Sequence, residues 1–234
     1  DKNRITTGLF ILFLILTTFY LKLDFYFFIF LNFLIFVELK ISKFINFLQL
    51  TLLIFLFILL QVLSYFLIFS NIFLIVLFFV FLINLFFYDK YLKLCFSFLI
   101  ILFSFVFLEI LKTDRNLFYM IIFISFINDT FAYIFGNFLK GPLISPRISP
   151  KKTWSGTIVS FSISTIILFN LNFSILSSIL FSISLFYGDL FFSYIKRKFN
   201  IKDFSSILLS HGGILDRLDS MFFITFLLYF KISF

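Results

Sequence analysis

Leu50–Phe69 reads LTLLIFLFILLQVLSYFLIF, twenty residues without a charged side chain. A helix of that length rises about 30 Å, enough to cross the hydrocarbon core of a bilayer. Asn71–Tyr88, NIFLIVLFFVFLINLFFY, follows at once and is equally free of charge. Two such runs in succession describe a chain that folds within lipid. Working outward, the rest has the same character: of 234 residues, 62% are hydrophobic and 13% charged. A soluble domain carries about 25% charged residues, because it must cover its outside with polar groups. A signal peptide contributes one short apolar stretch, whereas here apolar runs recur along the chain.

The pattern predicts an all-α, polytopic transmembrane helix bundle of about nine spans. They are placed near 5–22, 24–38, 48–68, 71–88, 93–111, 117–135, 154–170, 173–194 and 217–233. Asp24 alone separates the first two, and Asn170-Leu171-Asn172 makes the turn between the seventh and eighth. The basic residues orient the bundle. With the N-terminus cytoplasmic, the inside segments hold Lys2, Arg4, Lys40, Lys43, Lys90, Lys93, Lys140, Arg147, Lys151, Lys152, Lys196, Arg197, Lys198, Lys202 and Arg217, fifteen of the nineteen. Only Lys22, Lys112, Arg115 and Lys231 fall outside, as the positive-inside rule requires. The net charge of +8 is therefore spread over membrane-flanking segments. It forms no single basic face, which argues against a nucleic-acid partner.

The 46 Phe residues read as mutational drift among side chains that insert into lipid almost equally well. An aromatic ligand site is the weaker reading. The single Cys95 excludes an intramolecular disulfide framework and a thiolate metal cluster, and reads as a small core residue.

Polar and backbone-special residues gather late in the chain. Pro142, Pro146 and Pro150 share one loop, and six of the seven glycines lie between Gly136 and Gly213. Residues 1–116 therefore read as lipid-facing scaffold helices. Residues 117–234 read as the catalytic region, with cytoplasmic loops 136–153 and 195–216. In that region Asp129, Asp189 and Asp216 lie within or at the edge of apolar spans. Asp219, one turn beyond Asp216, is expected on the same helix face. A carboxylate in the membrane costs roughly 2.5–3.5 kcal/mol and needs a partner. Oxygen donors without thiols favour a hard cation such as Mg²⁺, and nearby basic residues then favour a polyphosphate substrate. The alternative is that the aspartates pair with Lys or Arg and brace the bundle; the residues alone leave both readings open. In Ser149-Pro150-Lys151-Lys152-Thr153, Pro150 stiffens the loop and Thr153 can cap the following helix. A capped helix start flanked by two lysines suits a phosphate. Gly212-Gly213 beside His211 is either a flexible turn or a place where backbone amides approach a phosphate.

At these residues the sequence resembles the phosphatidate cytidylyltransferase (CDP-diacylglycerol synthase) family. Ser193-Tyr-Ile-Lys196-Arg197, Lys202-Asp203 and then His211-Gly212-Gly213-Ile-Leu-Asp216-Arg217-Leu-Asp219 are similar to the pattern S-x-x-K-R-x(4)-K-D…H-G-G-x-x-D-R-x-D. Asp129-Thr-Phe-Ala132-Tyr133 and Ile148–Gly156 resemble two further family segments, and Arg4-Ile5-Thr6-Thr7 is weakly family-like. The resemblance is good over about residues 128–222. Three places depart from the pattern. Phe191-Phe192 stand where many members have Glu, Leu209-Ser210 where Pro-Gly is usual, and Phe131 where Gly precedes the Ala.

The resemblance implies transfer of the cytidylyl group of CTP to phosphatidate, with Mg²⁺ as cofactor and a second cation such as K⁺ as a further expectation. It implies a site open to the cytoplasm and to lipid in a bacterial plasma (inner) membrane, and it suggests a homodimer. On this reading Asp189 and Asp216 are the metal ligands, supported by Asp219 and Asp129. Lys196, Arg197, Lys202, Asp203, His211 and Arg217 join the catalytic group. Ser149, Lys151, Lys152, Thr153, Ser193, Gly212, Gly213 and Asp129 contact substrate. Competing readings are a CTP-dependent polyprenol kinase, an ion-path protein without enzymatic activity, and a degenerate, inactive paralogue.

Overall fold

The computed structural model describes residues 12–42, 45–66, 77–82, 84, 92–205, 207 and 212–233. His211, Leu209-Ser210, the Arg4–Thr7 segment, Lys2, Lys43 and Lys90 lie outside the described residues, as do parts of the first and fourth expected spans. Residues 12–20 are helical, and the longer elements follow in order. They are α1 (Asp24–Ile41), α2 (Phe47–Phe66), α3 (Leu92–Thr113), α4 (Arg115–Leu139), β1 (Leu143–Ser145), β2 (Ser149–Thr153), α5 (Trp154–Asn170), α6 (Ile175–Lys198), α7 (Leu215–Leu218) and α8 (Met221–Ser233). Leu92–Thr113, Arg115–Leu139 and Ile175–Lys198 are long and apolar enough to cross a membrane. Phe47–Val62, Trp154–Asn170 and Met221–Lys231 are shorter apolar helices. The protein is a mostly helical membrane protein.

The chain divides into two compact units. The first comprises residues 1–113, 204–214 and 229–234. In it α1, α2 and α3 pack on one another. The core is aromatic and aliphatic: Phe96, Phe103, Phe105 and Phe107 on α3 are fully buried, and Phe96 stacks on Phe204 with ring centroids 5.5 Å apart. The 92–113 helix was expected to face lipid. It is buried along most of its length, because a largely Phe/Leu/Ile surface packs as well against protein as against acyl chains.

The second unit comprises residues 114–203 and 215–228. Asp114 caps α4, its Oδ1 accepting from the backbone N–H of Asn116 at 2.8 Å and of Leu117 at 3.3 Å. α4 packs along α5, and α5 along α6. The α4–α5 approach depends on glycine. A β-carbon on Gly156 would collide with the carbonyl oxygen of Ala132 and lie 3.0 Å from Gly136 Cα. Small residues at such crossings let membrane helices come together backbone to backbone.

Two expectations change. The loop at 136–153 is not irregular. α4 runs on to Leu139, and Lys140 closes it in a left-handed conformation at φ 46°. Then β1 and β2 form an antiparallel hairpin, a small exception to the all-α reading. The backbone groups of a short polar segment pair with each other when no helix receives them. The ninth span is also not one helix. α7 stops at Leu218, Asp219 and Ser220 form a turn, and α8 begins at Met221. Asp219 lies in the turn between the two helices, its Oδ1 accepting from the Ser220 N–H at 2.9 Å.

Candidate active site

The second unit places its polar residues through four elements. Asp129 lies on α4, Lys151 and Lys152 on β2, Asp189 and Lys196 on α6, and Asp216 on α7. Thr153 joins β2 to α5 and caps it, its side-chain oxygen accepting from the Gly156 N–H at 3.3 Å. Trp154 N–H bonds to Pro142 O at 2.9 Å, and Ser155 Oγ accepts from Gly141 N–H at 3.1 Å. These bonds fix the hairpin against the start of α5. Arg197 reaches the same hairpin from α6, its Nε donating to Ile148 O at 3.0 Å.

A pocket of about 220 Å³ opens here. Of the residues selected from sequence, Asp129, Asp189, Ser149, Lys151, Lys152 and Thr153 line it. Asp189 forms an ion pair with Lys152. A second ion pair joins Lys196 Nζ to Asp216 Oδ1 at 2.8 Å. The side chains of the first pair are 28% and 19% exposed and open onto the pocket; those of the second are 7% and 12% exposed and lie deeper. Asp129, Asp189 and Asp219 are near enough to repel one another, and Lys152 offsets that repulsion at both Asp129 and Asp219. Arg217 acts on Asp129 in the same sense.

The approach of Asp219 to α6 depends on Gly188, next to Asp189. A β-carbon there would collide with the Asp219 carbonyl oxygen and lie 3.1 Å from that of Ser220. Phe191 and Phe192, which depart from the family pattern read in the sequence, pack on Phe222 with centroids 5.7 and 5.5 Å away. An apolar cluster thus occupies that position.

Several polar residues not selected from sequence support Asp129. Ser220 Oγ donates to Asp129 Oδ2 at 3.3 Å and lies 2.5 Å from Ser125 Oγ. Asn128 Nδ2 approaches Asp129 Oδ1 at 3.5 Å, and Ser164 Oγ donates to Asn128 Oδ1 at 3.3 Å. The available signal was a set of polar residues inside apolar helices, each of which must find a partner away from water. Ser193 is buried, whereas Lys202 and Asp203 are exposed beyond the end of α6. Gly212 and Gly213 belong to the first unit. Among the described residues, no three His, Cys, Asp or Glu side chains group tightly enough to hold a metal ion.

The second unit thus sets a basic hairpin, a capped helix start and carboxylates around one pocket in a helical membrane protein. The chain matches the family described as "Cytidylyltransferase family" over residues 2–234 and is a member of it. It is 37% identical to a phosphatidate cytidylyltransferase of Rickettsia conorii over 140 residues, 53% of this chain and 61% of that protein. It is 43% identical to one of Aquifex aeolicus over 119 residues, 47% and 45% of the two chains. With one of Staphylococcus aureus the identity is 41% over 111 residues, 43% of each. The chain thus spans about three fifths of the first of these relatives and less than half of the other two. The resemblance drawn from the sequence motifs is borne out.

Proposed function

We propose that this chain transfers the cytidylyl group of CTP to phosphatidate, giving CDP-diacylglycerol and pyrophosphate for phospholipid synthesis. The observation that carries the reading is the pocket in which Lys151, Lys152 and the capped start of α5 face Asp129 and Asp189. The helix start and the lysines attract phosphate oxygens. The phosphatidate phosphate, already an anion, attacks the α-phosphorus of CTP. A new P–O bond forms, the α–β anhydride bond breaks, and pyrophosphate leaves with the electron pair. No strong general base is required, so His211 serves as a phosphate contact. Lys196, Arg197, Lys202 and Arg217 hold the remaining phosphate charge. Positioning and charge neutralisation are the main sources of rate in phosphoryl-type transfers.

Asp129, Asp189 and Asp219 lie close enough to repel one another and offer only oxygen, the donor type that a hard cation takes. Asp189 and Asp216, with Asp129 and Asp219 beside them, would hold Mg²⁺. Bound there, the ion would neutralise charge on the nucleotide phosphates, and a second cation such as K⁺ would share the carboxylates. Lys152 pairs with Asp189 and Lys196 with Asp216.

The same reading has nine spans, a cytoplasmic N-terminus, residues 117–234 as the catalytic region, a site facing the cytoplasm in a bacterial plasma membrane, and a homodimer. Purified protein given phosphatidate vesicles and α-labelled CTP should form labelled CDP-lipid and release pyrophosphate. Release of CDP, or absence of labelled lipid, overturns the reading.

A further inference from the structure

Ser220 stands in the turn between α7 and α8 and is completely buried in the second unit. A serine has two donors, its backbone N–H and its hydroxyl, and here each goes to a different carboxylate. The N–H donates to Asp219 Oδ1 at 2.9 Å, and the hydroxyl donates to Asp129 Oδ2 at 3.3 Å. The two carboxylates repel one another, so a neutral residue that donates to both sets how far apart they stand.

The direction of the hydroxyl is itself fixed. Ser125, one turn before Asp129 on α4, is also buried, and its Oγ lies 2.5 Å from that of Ser220. A hydroxyl has one proton, and an ionised carboxylate only accepts. With the Ser220 proton on Asp129, the contact between the serines is made by the Ser125 proton. The relay therefore runs one way, from Ser125 through Ser220 to Asp129, and away from water neither hydroxyl has solvent to turn to. α6 holds the same residue from the other side: a β-carbon on Gly188, next to Asp189, would lie 3.1 Å from the Ser220 carbonyl oxygen.

We infer that Ser220 is a positioning residue: with Ser125 fixing its hydroxyl, it holds the Asp129 and Asp219 carboxylates at a set spacing, so that a divalent cation meets them already in place. The inference rests on the proposed Mg²⁺-dependent transfer for its ligand, but not for its geometry. Bringing like charges together on each binding event would weaken affinity, and a prearranged pair avoids that cost.

The test is Mn²⁺ binding by the detergent-solubilised protein, read without nucleotide from the EPR signal of the free ion. S220A should weaken binding about tenfold or more, the usual scale when a donor behind a metal-binding group is lost. S125A keeps both donors to the carboxylates and should weaken it about threefold; S125A/S220A should match S220A within about twofold, because Ser125 acts through Ser220. S220C keeps the shape with a weak donor and should stay about threefold or more below wild type. S178A removes another buried hydroxyl of α6, which donates to Ser174 O at 3.0 Å, and should bind as wild type does. In turnover, S220A should raise the Mg²⁺ concentration for half-maximal rate while the KM for CTP at saturating Mg²⁺ stays within about threefold of wild type. Wild-type affinity in S220A or S220C overturns the inference, as does a loss in S178A equal to that in S220A, or no Mn²⁺ binding by wild type. If S220A does not fold, unchanged affinity in S125A overturns it. If wild type binds Mn²⁺ but makes no CDP-lipid, the activity reading fails by itself, and the affinities of the variants still decide the role of Ser220.

Discussion

α3 and α6 are both apolar helices long enough to cross a membrane, yet they solve different problems. α3 buries Phe96, Leu99, Phe103, Val106 and Ile110 within the first unit and carries little that could bind a ligand. α6 interrupts its apolar surface with Gly188, Asp189 and Lys196, and each of these meets something. Gly188 receives the backbone of Asp219, Asp189 receives Lys152, and Lys196 receives Asp216. The difference shows how a membrane helix becomes part of a site. A polar residue in lipid is unfavourable until another element supplies its complement, so polar residues on one helix imply matching ones elsewhere. α3 makes few such demands and can tolerate change. α6 is constrained at every one.

Substitutions should separate the two helices sharply. The largest effect is expected at Asp189 and Asp216. Replacing either with Ala should lower CDP-lipid formation by about 10²–10³-fold, the scale of losing a charge contact aimed at the reacting phosphates. Wild-type turnover by Asp216→Ala would remove it from the site. Next comes Gly188→Ala, whose methyl group meets the Asp219 carbonyl. It should cost about 1–3 kcal/mol by overpacking and lower activity, read as a fall in the melting temperature of the detergent-solubilised protein. Thr153→Ala removes the cap of α5 and should cost about 1 kcal/mol, with Thr153→Ser restoring most of it. Smallest in function is Phe103→Leu on α3. Its lost packing should cost about 1 kcal/mol while leaving the KM for CTP as in wild type. A change in that KM would show that the contrast between α3 and α6 is overdrawn.

Much of this was legible beforehand. The long apolar runs marked the helices, and α1, α5 and α6 begin within two residues of the expected positions. Thr153 was identified as a cap because a Thr ahead of an apolar run has few other uses. Asp129, Asp189, Lys151 and Lys152 were selected individually and share one pocket. What was not legible concerned partners. Asp189 has no basic residue near it along the chain, and its ion pair comes from Lys152 on a separate element. Asp216 has Arg217 next to it, yet pairs with Lys196. The polar set behind Asp129 and the bond between Ser205 and Glu38 join residues dozens of positions apart.

The sequence by itself determined the solvent of this protein, its helical class, and which residue types gather near its C-terminal half. Those properties follow from composition, run length and short-range spacing, which need no knowledge of what packs on what. Only the tertiary structure decided which charge neutralises which, where α7 and α8 break apart, and that a polar loop closes into a hairpin. These outcomes depend on the approach of distant backbones at Gly136, Gly156 and Gly188. Close approach is a property of two surfaces together, and no local stretch of chain encodes it alone.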